Sequence, residues 1–183
     1  VSIQGTLAES DAGGSTSPKL FRYTVWPVTF IPEACYFTSS KVINLALDPV
    51  DSEQFTGSGV ARNHKDIPLM QMRCSNVSSQ PKISVRGTAD PSGVPGVLKN
   101  QATNSPATGV GILLEHTPPS LQPFAADLSG GSQVGSLGLV NAGSCGSGCT
   151  NWSLPMRASY YSTSSTVTAG AVSARVTVDV TYP

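Results

Sequence analysis

The sequence predicts an all-β chain folded as an antiparallel β-sandwich, and three observations carry that expectation. Apolar residues recur at every second position in short runs, the mark of half-buried strands. Clusters of Gly, Pro, Ser, Asn and Asp separate these runs at close spacing, as tight turns require. No stretch sustains the 3.6-residue apolar period of the crossover helices that a parallel sheet needs. Composition agrees: charged residues make up 12% of the chain, about half the ~25% of an average soluble protein. The 183 residues suffice for one well-cored domain.

In chain order, the first run is VSIQGTL, with Val1, Ile3, Gly5 and Leu7 in phase. The segment AESDAGGSTSPK, residues 8–19, has almost no apolar side chain and reads as a flexible tether. This divides the chain into an extension and tether, 1–19, and a sandwich domain, 20–183. After the aromatic-rich FRYTVWPVTFI come Ile43, Leu45 and Leu47, then Met70, Met72 and Cys74, then Ile83 and Val85, then Val110, Ile112 and Leu114. Each group shares parity and reads as one strand. Turn clusters lie at 56–59, 90–96, 117–120, 129–132 and 143–148. Pro155 interrupts the run Trp152, Leu154, Met156, Ala158, Tyr160, so a strand starts near it or places it at an edge. About eight strands fit, and an immunoglobulin-like sandwich is the leading architecture.

Several function classes drop out. Eleven basic and eleven acidic side chains cancel, leaving no electrostatic footprint for nucleic acid or an anionic membrane. No apolar run approaches the ~20 residues of a membrane-spanning helix. The start lacks the basic and apolar regions of a signal peptide, so an exported chain appears here in mature form. His64 and His116 sit in turn-like contexts without a partnered nucleophile. No G-x-S-x-G elbow, H-E-x-x-H pair or phosphate-binding loop occurs. We therefore expect no catalytic residue, no metal site and no cofactor. Four cysteines without a C-x-x-C pair suit structural disulfides in an oxidising space better than metal chemistry. Cys145 and Cys149 read as a local loop staple.

The last strand is the most regular. Val172, Ala174, Val176, Val178, Val180 and Tyr182 alternate with Ser173, Arg175, Thr177, Asp179 and Thr181, giving one dry and one wet face. Periodicity alone fits an ordinary buried strand equally well. A sandwich ending on its sixth strand lacks a seventh, however, and leaves a groove and an open edge that must be filled from elsewhere. VSIQGTL has the length and pattern of an inserted strand, or of a first strand in its own sheet.

These residues resemble the chaperone-usher pilins of Gram-negative bacteria. In that family a glycine stands fourteen residues from the C-terminus and a tyrosine is penultimate; Gly170 (183 − 170 + 1 = 14) and Tyr182 match. MRASYYSTSSTVTAGAVSARVTVDVTYP resembles the family's last two strands, ATGVGILLE an internal strand, and VSIQGTL the donor extension with its glycine at Gly5. The resemblance implies the pilin fold, an immunoglobulin-like sandwich lacking its own seventh strand, and a disulfide between Cys35 and Cys74. It implies an acceptor groove and chaperone-binding strand at Gly170, Val172, Ala174, Val176, Val178, Val180 and Tyr182, and a donor strand at Val1, Ile3, Gly5 and Leu7. The implied partners are a periplasmic chaperone, an outer-membrane usher and neighbouring subunits, with a fimbrium on the cell surface as the destination, reached through the periplasm. An adhesin or adaptor that binds a host glycan or protein is the alternative, with Phe21, Tyr23, Trp26 and Trp152 as sugar-stacking candidates. Two features depart from the family: the long tether, which would also let Val1–Leu7 fold back on its own domain, and the CGSGC stretch.

Overall fold

The computed structural model of the chain describes residues 6–9, 19–22, 34–77, 80–117, 122–123, 133–134 and 139–181. Its contacts divide into two units, residues 1–32 and 33–183. The first unit holds an antiparallel hairpin of β1 (Thr6–Glu9) and β2 (Lys19–Arg22), in a register that sets Leu7 opposite Phe21 and Glu9 opposite Lys19. The polar segment expected as a tether thus lends both its ends to strands, and residues 10–18 between them lie outside the described residues.

Among its described residues the second unit is all-β with antiparallel ladders, plus one isolated parallel bridge between Pro106 and Ala171. One sheet has the order β11 (Val140–Gly146), β12 (Cys149–Leu154), β5 (Met70–Ser75), β3 (Ala34–Phe37). A second runs β4 (Ala61–Asp66), β13 (Met156–Ser162), β8 (Val110–His116), β7 (Val97–Leu98), with β9 (Gln122–Pro123) also on β8. The third is β10 (Gln133–Val134), β6 (Lys82–Gly87), β14 (Val176–Thr181). The described residues contain a single turn of 3-10 helix, Ser52–Gln54. This is the immunoglobulin-like arrangement expected from the alternating runs.

Alternation explains which side chains form the core. Ile83 and Val85 on β6 and Met72 and Cys74 on β5 are buried, joined by Leu98, Leu114, Leu139, Leu154, Met156 and Ala158 in one cluster. A smaller cluster gathers Phe55, Ala107 and Val110. The Cys35–Cys74 disulfide is formed between residues directly opposite in the β3–β5 ladder. Across a sequence separation of 39 such a link contributes about 4 kcal/mol in the chain-entropy account.

A strand does start beside Pro155, as one of the two readings had it: β13 begins at Met156, in a different sheet from β12. Proline cannot donate to a ladder, so the chain crosses between layers at that residue while side-chain parity continues. Two other expectations change. On β8, Leu113 is buried along with Val110 and Leu114, because this strand is covered on both faces. Residues 42–50 keep the alternation, with Ile43, Leu45 and Leu47 half-buried and Asn44, Ala46 and Asp48 exposed, yet no ladder partner lies beside them among the described residues.

Candidate functional site: an open sheet edge

Every open sheet terminates in edge strands, and exposed edges invite pairing unless they are short, charged or bulged. β7, β9 and β10 are two residues long and β3 is four. β4 carries Arg62, His64, Lys65 and Asp66, a left-handed Asn63 and a register shift against β13. β11 contains two register shifts against β12. β14 differs from all of these: its six residues pair with β6 without a shift, from Val176↔Gly87 to Thr181↔Lys82, and no described strand lies on its other side.

The chain entering β14 is fastened on one side. Asn100 Nδ2 donates to the carbonyls of Ala107 and Ala171, both at 2.9 Å, and its Oδ1 accepts from the N–H groups of Ala102 and Ser173, both at 3.0 Å. Backbone bonds run alongside, from Ala107 N–H to Ala171 O (2.9 Å), Ala171 N–H to Ser105 O (2.8 Å) and Gln101 N–H to Ser173 O (2.7 Å). Residues 171 and 173 therefore spend their backbone groups on the 100–107 loop. Strand alternation aims those of Val172 and Ala174 the opposite way, toward the open side, and carries the pattern on to Val176, Val178 and Val180.

The same even-numbered residues turn their side chains inward. Ala174, Val176, Val178 and Val180 pack against the main core and Val172 against the smaller cluster, all of them half-buried. Leu45 and Leu47 of the unpaired 42–50 segment pack on that main core as well. Half-exposed valines beside unpaired backbone make a surface suited to an added strand: the backbone bonds the incoming chain while shallow apolar positions receive alternate side chains.

Gly170 closes one end of this strip. A β-carbon there would overlap the backbone of Ser105, Pro106 and Ala107, so the close approach of the two segments requires a residue with no side chain. A family model of fimbrial proteins matches residues 20–183. The chain belongs to the fimbrial protein family. Solved structures with a similar fold include the P pilus rod subunit PapA, at 15% identity and a TM-score of 0.53, covering 88% of this chain and 100% of that one. The CupB6 tip adhesin of Pseudomonas aeruginosa is similar at 17% identity with a TM-score of 0.63; the match covers 97% of this chain and 48% of the adhesin. An antigen and type I fimbria protein of Burkholderia pseudomallei, BPSL1626, aligns at 22% identity over 82% of this chain and 97% of its own, with a TM-score of 0.49. No curated protein sequence matches.

Of the site residues expected from sequence, the fold of this fimbrial protein brings Gly170, Val172, Ala174, Val176, Val178 and Val180 into one continuous strip. Tyr182 lies outside the described residues, as do Val1, Ile3 and Gly5. Leu7 falls within β1. The Cys145–Cys149 disulfide is formed at the tip of the β11–β12 hairpin. Trp152 is half-buried and packs against the main core. Asn100 was not legible as a site residue, because one asparagine in a loop carries no spacing signal. Among the described residues no group of three or more His, Cys, Asp or Glu could hold a metal ion.

Proposed function

We propose that the chain is a structural fimbrial subunit that assembles by donor-strand complementation and exchange. The open, unshifted edge of β14 carries this reading. A strand inserted beside it would bond to the free backbone of the even-numbered residues from Val172 to Val180 and cover their side chains. A periplasmic chaperone would supply that strand first; the outer-membrane usher would then exchange it for the N-terminal extension of a neighbouring subunit. Val1, Ile3, Gly5 and Leu7 would serve this chain as donor to its own neighbour. Each fully buried aliphatic donor side chain, Ile3 or Leu7, contributes about 1.5 to 3 kcal/mol. The destination is a fimbrium on the bacterial surface.

The adhesin-like fold of the CupB6 comparison keeps a second reading open to test, in which this chain is a tip or adaptor domain that binds a host receptor. Deleting Val1–Leu7 separates the two. A shaft subunit so truncated accepts a neighbour's strand but fails to donate one, so fibre growth stops, whereas a terminal domain is incorporated normally. In vitro, the truncated chain should aggregate or melt early and be rescued by a synthetic VSIQGTL peptide. A truncated chain that stays a stable monomer indifferent to the peptide would refute strand exchange.

A further inference from the structure

The β11–β12 hairpin holds a second potential acceptor edge. β11 spans seven residues, one more than β14, and six of the seven, Cys145 excepted, are exposed, Val140 among them at 41%. No described strand pairs with its outer side. A straight edge of this length would compete with β14 for incoming strands or pair with its own copy on another molecule.

The ladder is not straight. Asn141 pairs with Trp152, Ser144 with Thr150 and Gly146 with Cys149. From Asn141 to Ser144 β11 advances three residues while β12 advances two, and from Ser144 to Gly146 it advances two while β12 advances one. Two extra residues therefore lie in β11, and Cys145 is the second of them. Gly143, at φ 103°, supplies the left-handed backbone of the first bulge, and the Asn141 side chain accepts from its N–H at 2.8 Å.

The Cys145–Cys149 disulfide is compatible with one of two possible ladders. Extending the Gly146↔Cys149 pair without a bulge would set Cys145 opposite Thr150. Neighbouring rungs point to opposite faces, so the two sulfurs would then stand on opposite sides of the ribbon, out of bonding reach. The bulge shifts parity by one residue and brings both onto one face. Once formed, the bond excludes the straight register.

We infer that the Cys145–Cys149 disulfide is an edge lock, which keeps β11 bulged and confines strand addition to the β14 edge. The lock follows from parity in the hairpin; its role in directing assembly rests on the strand-exchange reading above. Releasing it lets the hairpin straighten at Cys145, and the partner then admitted is the β11 of a second copy of this chain.

The test uses the full chain saturated with VSIQGTL peptide, comparing the parent with the Cys145→Ser/Cys149→Ser variant by sedimentation and amide hydrogen exchange. The expected result is a variant dimer whose apparent dissociation constant is at least about tenfold below that of the parent, with amides of residues 140–146 newly protected. Adding Ala142→Lys to the variant should restore the monomer, since an edge lysine opposes pairing and would not reverse aggregation of an unfolded chain. A variant that stays monomeric with unchanged exchange at 140–146, or an association that Ala142→Lys leaves intact, overturns the lock. A parent that binds no peptide removes the strand-exchange reading alone; β11 protection in the variant, reversed by Ala142→Lys, still upholds the lock.

Discussion

Replacing Gly170 with alanine tests how the start of the β14 strip is held. The new β-carbon would sit 2.5 Å from Ser105 O, whereas ordinary contact begins at 3.4 Å. Relief of that overlap requires a separation of about 0.9 Å (3.4 − 2.5). The bond from Ala171 N–H to Ser105 O, now 2.8 Å, would open to about 3.7 Å, beyond hydrogen-bonding range. The two bonds reaching Ala171 O, from Ala107 N–H and from Asn100 Nδ2, would stretch with it. Ala171 is exposed, so water replaces part of each loss, and about 0.5 to 1 kcal/mol per bond gives about 1.5 to 3 kcal/mol for the three. Urea unfolding of the full chain measures this: with a slope of about 2 kcal/mol per molar, the midpoint falls by about 1 M. Because Asn100→Ala removes one of the same bonds, the double variant should cost less than the sum of the singles. A midpoint shift below about 0.2 M for Gly170→Ala, or strict additivity with Asn100→Ala, would refute the account of this junction.

Two further outcomes concern β13. Ser159 is fully buried and its hydroxyl has no hydrogen-bond partner among the described residues, so Ser159→Ala should raise stability by about 1 kcal/mol, read from the same urea midpoints. The Tyr160 hydroxyl has its pKa pushed above the usual 10.0, first by burial and second by the negative charge of Asp48. A group with a raised folded pKa contributes stability that is complete below its unfolded value and lost as pH rises through the folded one. The midpoint difference between the parent and Tyr160→Phe should therefore be flat below about pH 9.5 and move against the parent above about pH 10. A difference that is flat through the tyrosine range would contradict this placement.

The sequence by itself determined the elements whose evidence is local. Period-two alternation marks a dry face on β6 and on β14 because neighbouring strand residues must point to opposite sides, and that rule holds wherever one face is covered. It marks residues 42–50 equally well, and their side chains do alternate between half-buried and exposed. Gly170 stood out through its resemblance to a known position, and its steric reason appears with the backbone of Ser105 to Ala107 beside it.

Tertiary structure decided what depends on neighbours distant in the chain. A ladder requires a second strand, so 42–50 has the pattern without a pairing among the described residues, and the edge of β14 is recognisable as open only once the other described edges of the second unit are seen to be short, charged or bulged. The two strands flanking Pro155 share one parity and belong to different sheets, a distinction that their partners alone create. The CGSGC staple shows the same division: its bond is readable from spacing, but its consequence is a matter of register, and register exists only when two strands are laid side by side.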